Sequence, residues 1–472
     1  MLMKKEDIFS KINSTRLLWI LFFMLLAITL LLSFNKKFSQ DEFESIHASW
    51  KILRGEKIYV DFFELHHPLF YYMLVPIVAI FKETITTIIA ARILVLLMLG
   101  LIFFVTYYIS KIVFNKETGI ISLILLSSAA IFVYNAIAIR PDVPQTLFGL
   151  ISVLFLLSYF EKRSLRYLIL SSLSLSISFL FLQKAVFLIL IIGSILFISA
   201  YRKQIKYRDA LVYLSAFIAP LVLYYIYLFS NGSLRPYLIC NWVINFKWLL
   251  FPSVSSWYHF NSIKLLIESY KMNFILWAFW LLSPFFLKTA NQKRIAILSL
   301  CLLISIFITD APYGQYLMMA MPTIVVLSAF VMQSIFKENK NVMAVLLIIS
   351  IVYPSYDFLL TAKEKPNRAQ LQKIQYVLSI TKPGDFVHDG RNFFNVFRKD
   401  LDFFWFLVHP NEGALKIYKY LYGYEFDIHK LIDKYKPKVI LDYLINIKDR
   451  RIANYYVQSK EYEGLLIRAD PY

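Results

Sequence analysis

The side chains best placed for chemistry are two carboxylates that follow the first long apolar segment of the chain. Asp41 and Glu42 come a few residues after the apolar run 16–34, so a helix in that run would hold both at a membrane surface. A carboxylate pair there can supply a general base, bind a metal or stabilise the start of a helix. The residues alone leave these alternatives open, and Asp41 is also suited to cap the following helix EFESIHASWKIL.

Two adjacent histidines, His66 and His67, lie farther along the same loop, directly before Pro68. Neighbouring residues on a helix point in different directions, so the two imidazoles do not by themselves predict a metal site. Packing at the membrane interface, contact with a phosphate group and a hydrogen bond in an active site all remain open for this pair.

Several other polar side chains interrupt or border apolar sequence. Ionisable residues near hydrocarbon are candidates for function because a charge is costly there, and a lipid phosphate would satisfy the cations among them. Structural explanations also exist, since a long cation can snorkel to the headgroups, an acid can start a helix and a tyrosine can belong to an interfacial belt. These candidates are Arg92, Arg140, Asp142, Lys184 and Tyr316.

The elements that must position these residues are membrane helices. Hydrophobic residues make up 59% and charged residues 17% of the 472 residues, whereas a typical soluble domain has about 45–50% and about 25%. About eleven apolar runs are long enough, or nearly long enough, to cross about 30 Å of hydrocarbon. They lie at about 16–34, 88–109, 119–138, 143–160, 166–182, 184–200, 209–229, 272–287, 295–309, 315–335 and 342–359. The sequence therefore predicts a polytopic α-helical membrane protein.

The net charge of +19 comes from short clusters of Lys and Arg between the apolar runs. These clusters fall on one side of the membrane if the short segment 68–82 is interfacial or re-entrant, so the positive-inside rule favours that arrangement. It predicts a protein of the plasma (inner) membrane with a cytoplasmic N-terminus, an extracytoplasmic C-terminus and outer loops 35–87 and 230–271. The charge is thus topological and indicates no nucleic-acid partner.

The last part of the chain has a different pattern. Its hydrophobic runs shorten to strand length and alternate with amphipathic stretches, which is typical of a small α/β domain. The predicted strands lie at 385–389, 438–444 and 464–468, and the amphipathic stretches at 413–422 and 427–435. We predict a transmembrane catalytic domain over 1–360 and an extracytoplasmic α/β domain over 361–472. A nucleotide-binding role is poorly supported because the chain has no glycine-rich phosphate loop.

The order of these motifs resembles that of the GT-C glycosyltransferases, in the family 39-like branch that contains protein O-mannosyltransferases and the lipid A aminoarabinose transferase. The resemblance spans about residues 16–340. It rests on the acidic pair, a His-Pro-Leu-Phe-Tyr-Tyr segment, an Ala-Ala-Arg helix, an Arg-Pro-Asp turn and a Lys-containing turn. It implies transfer of a sugar from a polyprenyl-phosphate donor to a lipid, glycan or protein acceptor on the extracytoplasmic face, by an inverting single displacement.

The resemblance also implies roles for single residues. Asp41 matches the catalytic acidic residue of the first loop, with Glu42 as its neighbour, and Asp142 matches the acidic position of the second loop. His66 or His67 falls where relatives carry His or Lys before Pro-Pro-Leu. Lys184 falls at a lysine of the aminoarabinose branch, and Tyr316 at a tyrosine near the donor phosphate.

The chemistry of such a transfer is consistent with these residue types. Arg92, Lys184 or a protonated histidine can stabilise the charge that develops on the phosphate, and Arg140 belongs to the same substrate-binding set. Asp41 is the candidate base if the acceptor is a hydroxyl group. No metal ligand is assigned, although a divalent metal remains open as a cofactor.

Two other functions are weighed against this one. A transporter or flippase of lipid-linked sugar is disfavoured because the loop of Asp41 has no second copy, as internal repeats would require. A lipid-linked glycan ligase or polymerase would place its chemistry in a late outer loop, where Arg235, Lys247 and His259 occur. Acceptor specificity is expected to reside in loop 230–271 and in the tail.

Overall fold

The computed structural model of the protein describes residues 14–250, 262–308, 313–364, 366–391, 393–406, 413–441, 445 and 449–469. Most of this part is helical. The helices are α1 Ser14–Asn35, α2 Gln40–Leu53, α3 Leu69–Phe81, α4 Ile85–Val113, α5 Lys116–Ser128, α6 Ala130–Ala136, α7 Asp142–Lys162, α8 Leu165–Phe181, α9 Val186–Tyr201, α10 Tyr207–Ser230, α11 Leu234–Tyr237, α12 Ile244–Leu250, α13 Ser262–Met272, α14 Phe274–Leu282, α15 Ala290–Ser305, α16 Met321–Ile335, α17 Lys340–Glu364, α18 Arg368–Ile380, α19 Gly413–Tyr422, α20 Ile428–Tyr435 and α21 Arg450–Ala453. A π-helical turn at Leu238–Val243 and 3₁₀ turns at Gln183–Ala185 and Gly314–Leu317 connect some of them.

The polytopic α-helical membrane fold predicted from the sequence is confirmed. Within the described ranges, seven single helices are long and apolar enough to cross a membrane, and two bent helix pairs bring the number to nine if each is one span. The seven are α1, α4, α7, α9, α10, α15 and α17, the first and the fourth being counted from Arg16 and from Gln183. The bent pairs are α5 with α6 and α13 with α14. Two further predicted runs form the shorter apolar helices α8 and α16, so the full count of about eleven spans stays a prediction.

The two bent pairs support each other through one buried side chain. Helices α5 and α6 meet at 74°, and α13 and α14 meet at 106°. Asn273 lies at the second break, accepts a hydrogen bond from the backbone N–H of Ala130 (3.1 Å) and donates one to the carbonyl of Ser128 (2.8 Å). A helix break frees backbone groups that need hydrogen-bond partners in a membrane. The side-chain amide of Asn273, at the break between α13 and α14, supplies such partners at the break between α5 and α6 and so stabilises that bend.

A small mixed sheet forms in the C-terminal part, as predicted. Its four strands are β1 Val387–His388, β2 Val439–Leu441, β3 Tyr456–Gln458 and β4 Leu465–Arg468, in the order β1-β2-β4-β3. Strand β1 runs parallel to β2 with Val387 opposite Val439, and β4 is antiparallel to both β2 and β3. The sequence did not predict strand β3. Only one of its three residues is buried, so the strand lacks the alternation of buried and exposed positions that indicates a strand.

The C-terminal part packs directly on the predicted loop 35–87. Phe63 donates its backbone N–H to the carbonyl of Phe403 (2.9 Å), and Trp405 donates its indole N–H to the carbonyl of Phe63 (2.9 Å). Arg398 forms an ion pair with Glu83 (2.8 Å). Helix α17 extends to residue 364, past the predicted domain boundary at 360. The division into domains 1–360 and 361–472 therefore remains a proposal.

The strongest of these contacts is made by Asp400, whose carboxylate is buried against α2. Its Oδ2 lies 2.8 Å from Nε2 of His47 and 2.7 Å from Nζ of Lys51, and its Oδ1 accepts a hydrogen bond from Asn395 (3.0 Å). All three neighbours can present donors, so a carboxylate satisfies them better than a neutral amide does. Burial by itself raises the pKa of Asp400, but His47 and Lys51 outweigh it and hold that pKa below the ordinary value.

Replacing Asp400 with asparagine is expected to destabilise the folded protein by about 1.5–3 kcal/mol, since hydrogen bonds to a charged group are lost. A carboxylate with a lowered pKa stabilises the fold above its unfolded pKa, and that contribution disappears as the pH falls through its folded pKa. The variant should therefore lose the acid-side part of the pH dependence of stability. Thermal unfolding in detergent across pH 3 to 8, roughly the range over which a carboxylate titrates, measures both effects. Asp61→Asn is the matched control, because Asp61 is exposed and accepts a hydrogen bond from the backbone N–H of Lys57 (2.6 Å), which an amide oxygen can also accept.

Candidate active site

Helix α2 places the acidic pair, and its first turn is fixed by Ser39. The Oε1 atom of Glu42 accepts a hydrogen bond from the backbone N–H of Ser39 (2.9 Å), as in a capping box. The residue at the cap position is thus Ser39, and the alternative that Asp41 caps this helix is wrong. Asp41 lies in the first turn, where its side chain is 44% exposed and is not needed by the cap.

Glu42 points away from Asp41 and is paired with Arg92 in the interior. Both side chains are only 1% exposed, and Oε2 of Glu42 accepts hydrogen bonds from Nη2 of Arg92 and from the backbone N–H of Ile139 (3.0 Å). Nη1 of Arg92 also donates to the carbonyls of Ser33 (2.8 Å) and Lys36 (3.2 Å) at the end of α1. The catalytic role predicted for Glu42 and the substrate-binding role predicted for Arg92 stay predictions. In the structure the two side chains form an ion pair with each other.

Four residues form a continuous charged cluster, which we define as Asp41, Arg140, Asp142 and Lys184. Nη1 of Arg140 donates to Oδ2 of Asp41, and Nε of Arg140 lies 3.3 Å from Oδ2 of Asp142. Nζ of Lys184 lies 3.0 Å from Oδ1 of Asp142 and 4.1 Å from the ring centre of Tyr316. The structure thus brings together five of the predicted site residues.

The members of the charged cluster come from three separate points of the chain, the first being the start of α2, which carries Asp41. Arg140 precedes α7, Asp142 is the first residue of α7, and Lys184 lies in the 3₁₀ turn between α8 and α9. Asp142 is buried at the positive end of a helix, which favours its ionised form. Turns at one end of a helical bundle can converge on one point, and here they alternate two carboxylates with two cations.

The charges of the cluster are balanced, and Arg140 is the cation between the two carboxylates. Burial by itself lowers the pKa of Arg140, but Asp41 and Asp142 outweigh it and raise that pKa above the ordinary value. The guanidinium is therefore permanently charged. A phosphate that enters the cluster would meet Arg140 and Lys184 as its two nearest cations.

The two adjacent histidines lie in different environments, which the sequence alone left open. His67 is fully buried, packs edge-on against Phe179 and lies 3.2 Å from the hydroxyl of Tyr237. Burial lowers the pKa of His67 to about 3, so this histidine is neutral, and the substrate-binding role predicted for it stays a prediction. The side chain of His66 is 28% exposed and contacts the carboxylate of Glu64 through Nδ1 (3.0 Å). His66 is therefore the member of the pair that is partly exposed and contacts a carboxylate.

Two buried carboxylates near the charged cluster were missed by the sequence reasoning. Glu44 and Glu64 lie close to His66, and one ligand-type atom from each of the three falls within 4.8 Å of the others. The sequence spacing could have indicated Glu44 as a site residue, because Glu44 follows Asp41 by three residues and so lies on the same face of α2. Glu64 precedes His66 by two residues, but the contact between their side chains is apparent only once the loop conformation is known.

The described part of the late loop 230–271 packs against the same histidine segment. The side chain of Asn245 in this loop donates a hydrogen bond to the carbonyl of Leu65 (2.9 Å), and so does Gln183 in the turn before α9 (2.8 Å). Arg235 is exposed at the start of this loop, and His259 lies outside the described residues. These contacts of the late loop hold the backbone directly before His66 in place.

Comparison with known proteins agrees with this architecture. Residues 65–227 match the family model described as dolichyl-phosphate-mannose-protein mannosyltransferase. This range contains His66, Arg92, the turn of Arg140 and Lys184, whereas Asp41 and Tyr316 lie outside it. No match is found among curated protein sequences.

Solved structures similar to this chain include two transferases. ArnT from Cupriavidus metallidurans bound to undecaprenyl phosphate has a TM-score of 0.67 at 11% identity, over 95% of this chain and 97% of ArnT. Its apo state has a TM-score of 0.65 at 12% identity, over 96% of this chain and 98% of ArnT. The archaeal oligosaccharyltransferase AglB from Archaeoglobus fulgidus, in complex with an inhibitory peptide and a dolichol-phosphate, has a TM-score of 0.57 at 12% identity, over 97% of this chain and 74% of AglB.

At such low identity the structural likeness establishes the fold, and the family model adds a sequence signature to it. The comparison with ArnT covers nearly the whole length of both chains, so it extends into the C-terminal part. The resemblance expected from the order of the motifs is thus confirmed: this chain is an integral membrane protein with the GT-C glycosyltransferase fold.

Proposed function

We propose that the protein is a glycosyltransferase that moves a sugar from a polyprenyl-phosphate donor to an acceptor at the extracytoplasmic membrane surface. The observation that carries the proposal is the charged cluster, in which the half-exposed carboxylate of Asp41 lies beside Arg140, and Asp142 joins Arg140 to the second cation, Lys184. The fold supports the same function, because ArnT has been solved with undecaprenyl phosphate and AglB with a dolichol-phosphate.

The reaction needs a base, a cationic site and no protonating acid. The acceptor oxygen attacks the anomeric carbon, the bond from that carbon to the phosphate oxygen breaks, and the lipid phosphate leaves with the electron pair. Asp41 takes the proton of a hydroxyl acceptor. Arg140 and Lys184 stabilise the negative charge on the departing phosphate, and such electrostatic stabilisation is commonly the largest catalytic contribution. A single displacement inverts the anomeric centre.

Asp41 and the phosphate compete for Arg140 in this mechanism. Without substrate, Arg140 contacts both Asp41 and Asp142. When the donor phosphate binds, its negative charge draws the guanidinium toward the phosphate, and Asp41 is left with a weaker cationic neighbour. A carboxylate released from an ion pair is a stronger base. Asp142 holds Arg140 and Lys184 throughout, and the ring of Tyr316 supports Lys184 from the other side.

The other predicted site residues are assigned to different tasks. Glu42 and Arg92 position the first turn of α2, and His67 packs the segment before α3. His66 lies at the polar side of that segment, between the charged cluster and the carboxylate of Glu64. The acceptor is a lipid, a glycan or a protein. We further propose the predicted orientation, with the N-terminus in the cytoplasm of the cell and the cluster and C-terminal part outside the plasma (inner) membrane.

The test is sugar transfer in proteoliposomes with a panel of radiolabelled polyprenyl-phosphate sugars. Loss of label from one lipid, with release of the free polyprenyl phosphate and with product formed from an added membrane extract, would identify the donor and support the proposal. Movement of intact labelled lipid across the bilayer without product would instead support a transporter. Joining of whole glycans from a diphosphate-linked lipid would support a ligase or polymerase.

Replacing Lys184 with methionine is expected to reduce kcat/KM for the donor by about 100-fold, since one cation that stabilises the phosphate is removed. Methionine has nearly the length of lysine and keeps the contact with Tyr316, so folding should be retained. Initial rates at varied donor concentration measure the effect. Lys57→Met is the control, because Lys57 is an exposed lysine of the predicted outer loop 35–87 and lies outside the charged cluster. An unchanged kcat/KM in Lys184→Met would remove this lysine from the phosphate site.

A further inference from the structure

The buried pair Glu44 and Glu64 has no role in the mechanism above. Glu44 is 5% exposed and Glu64 is fully buried, and His66 completes a group whose ligand-type atoms lie within 4.8 Å of one another. Buried carboxylates are costly unless they are hydrogen-bonded, paired with a cation or bound to a metal. The group therefore needs an explanation of its own.

One oxygen of each carboxylate is left without a partner. Oε1 of Glu64 accepts hydrogen bonds from the backbone N–H groups of Leu65 (2.8 Å) and His66 (3.1 Å), which fixes the orientation of the carboxylate. Its Oε2 and the Oε1 of Glu44 are buried and have no hydrogen-bond partner in the part of the chain that the structure describes. Such oxygens are unusual in folded proteins and point to a missing ion or proton.

Electrostatics indicates a deficit of positive charge at this point. Glu44 and Glu64 are both buried, and within the described residues no Lys or Arg side chain forms an ion pair with either carboxylate; the one pairing is that of His66 with Glu64 (3.0 Å). Arg140 is already shared between the two carboxylates of the charged cluster. A divalent cation would restore the balance, because it neutralises both buried carboxylates at once.

We propose that Glu44, Glu64 and His66 form a binding site for a divalent cation of the Mn²⁺ and Zn²⁺ class. Two carboxylates and one imidazole suit these ions, since carboxylates favour Mn²⁺ and imidazole favours Zn²⁺. Three protein ligands leave at least one position open for water or for an oxygen of another molecule. Glu44 and Asp41 share one face of α2, so the cation lies next to the charged cluster. The site does not depend on the proposed transferase function.

The test is direct metal binding to the full-length protein in detergent, after removal of metals with a chelator. Mn²⁺ alone is titrated and the free ion is measured by electron paramagnetic resonance. We expect one ion per chain, and we expect Glu44→Gln and Glu64→Gln to weaken binding at least about 100-fold, since each removes a direct ligand. Glu56→Gln is the matched control because Glu56 lies in the same loop, partly exposed, beside Lys51.

A second readout begins with the wild-type protein and reports the imidazole ligand directly. In the wild-type protein, bound Mn²⁺ should show a nitrogen coupling in pulsed resonance spectra, and His66→Gln should lose it. Absence of tight Mn²⁺ and Zn²⁺ binding to the wild type would overturn the proposal, as would equal affinity in Glu44→Gln. An increase in the melting temperature of metal-free Glu44→Gln, with no metal bound by the wild type, would show instead that the two carboxyl groups share a proton.

Discussion

Asp41→Asn is expected to lower kcat for sugar transfer to a hydroxyl acceptor at least about 1,000-fold, because the general base is removed while its shape is kept. Folding should be preserved, since the Asp41 side chain is 44% exposed and α2 is capped by Ser39 rather than by Asp41. Arg140 keeps its contact with Asp142 in this variant. The donor KM should therefore not rise, since an amide competes less than a carboxylate with the donor phosphate for Arg140, and the loss should fall on kcat.

The measurement is release of polyprenyl phosphate from the labelled donor in proteoliposomes, with wild type and variant reconstituted at equal density. Asp61→Asn is the matched control, because this exposed loop carboxylate accepts a hydrogen bond from a nearby backbone N–H (Lys57, 2.6 Å), which an amide oxygen can also accept. Wild-type turnover in Asp41→Asn would remove the catalytic assignment. A loss confined to the donor KM would make Asp41 a binding residue.

The same variant also discriminates between acceptor classes. A hydroxyl acceptor must lose its proton as it attacks, so it depends on the base. A phosphate acceptor is already ionised at neutral pH and does not need one. If an acceptor is used almost as well by Asp41→Asn as by the wild type while hydroxyl acceptors fail, that acceptor attacks through an ionised oxygen.

The convergence of the charged cluster could be predicted because it follows from topology. Alternating membrane spans place every second connection on the same side, and the positive-inside rule chose which side that is. Asp41, the turn of Arg140 and the turn of Lys184 were thereby assigned to one face before any contact was known. The alternation of carboxylates and cations within the cluster could not be derived from the sequence, because it depends on the directions of side chains at three separate turns.

The different fates of Asp41 and Glu42 depend on helix geometry. With 3.6 residues per turn, adjacent side chains point about 100° apart, so one carboxylate turns to Arg140 and the other to Arg92. The sequence identifies neither direction, since both residues are acidic and both follow the same span. Glu44 returns to the face of Asp41, but its importance becomes visible only when Glu64 is found beside it.

The contacts of the C-terminal tail indicate that it supports the helix of Asp41, in addition to the role in acceptor use that the sequence predicts. The sequence predicted a separate domain concerned with the acceptor, because its strand-length runs differ from the membrane spans. In the structure, Asp400 is buried against His47 and Lys51 of the helix that carries Asp41. Pairings between residues some 350 positions apart leave no local signal in a single sequence. Deletion of the tail is therefore expected to disturb donor chemistry as well as acceptor use.

Arg92→Met is expected to destabilise the protein by about 3–5 kcal/mol, because it leaves the carboxylate of Glu42 buried without its cation. It also removes the donors to two backbone carbonyls at the end of α1. Thermal unfolding in detergent measures the loss. The control is Arg54→Met, whose ion pair with Glu83 is 3.7 Å long and partly exposed, so its loss should cost at most about 1 kcal/mol. An unchanged melting temperature in Arg92→Met would contradict the buried pairing.

A second substitution separates positioning by Arg92 from binding of the donor. Adding Glu42→Gln to Arg92→Met removes the uncompensated charge, so part of the lost stability should return, and the two changes should be less than additive. If Arg92 acts by holding α2, the donor KM recovers together with stability in the double variant. If Arg92 binds the donor phosphate directly, stability recovers while the donor KM stays high. Pairing in the interior favours the first result, because a guanidinium that is 1% exposed and already bonded to Glu42 has little to offer a phosphate.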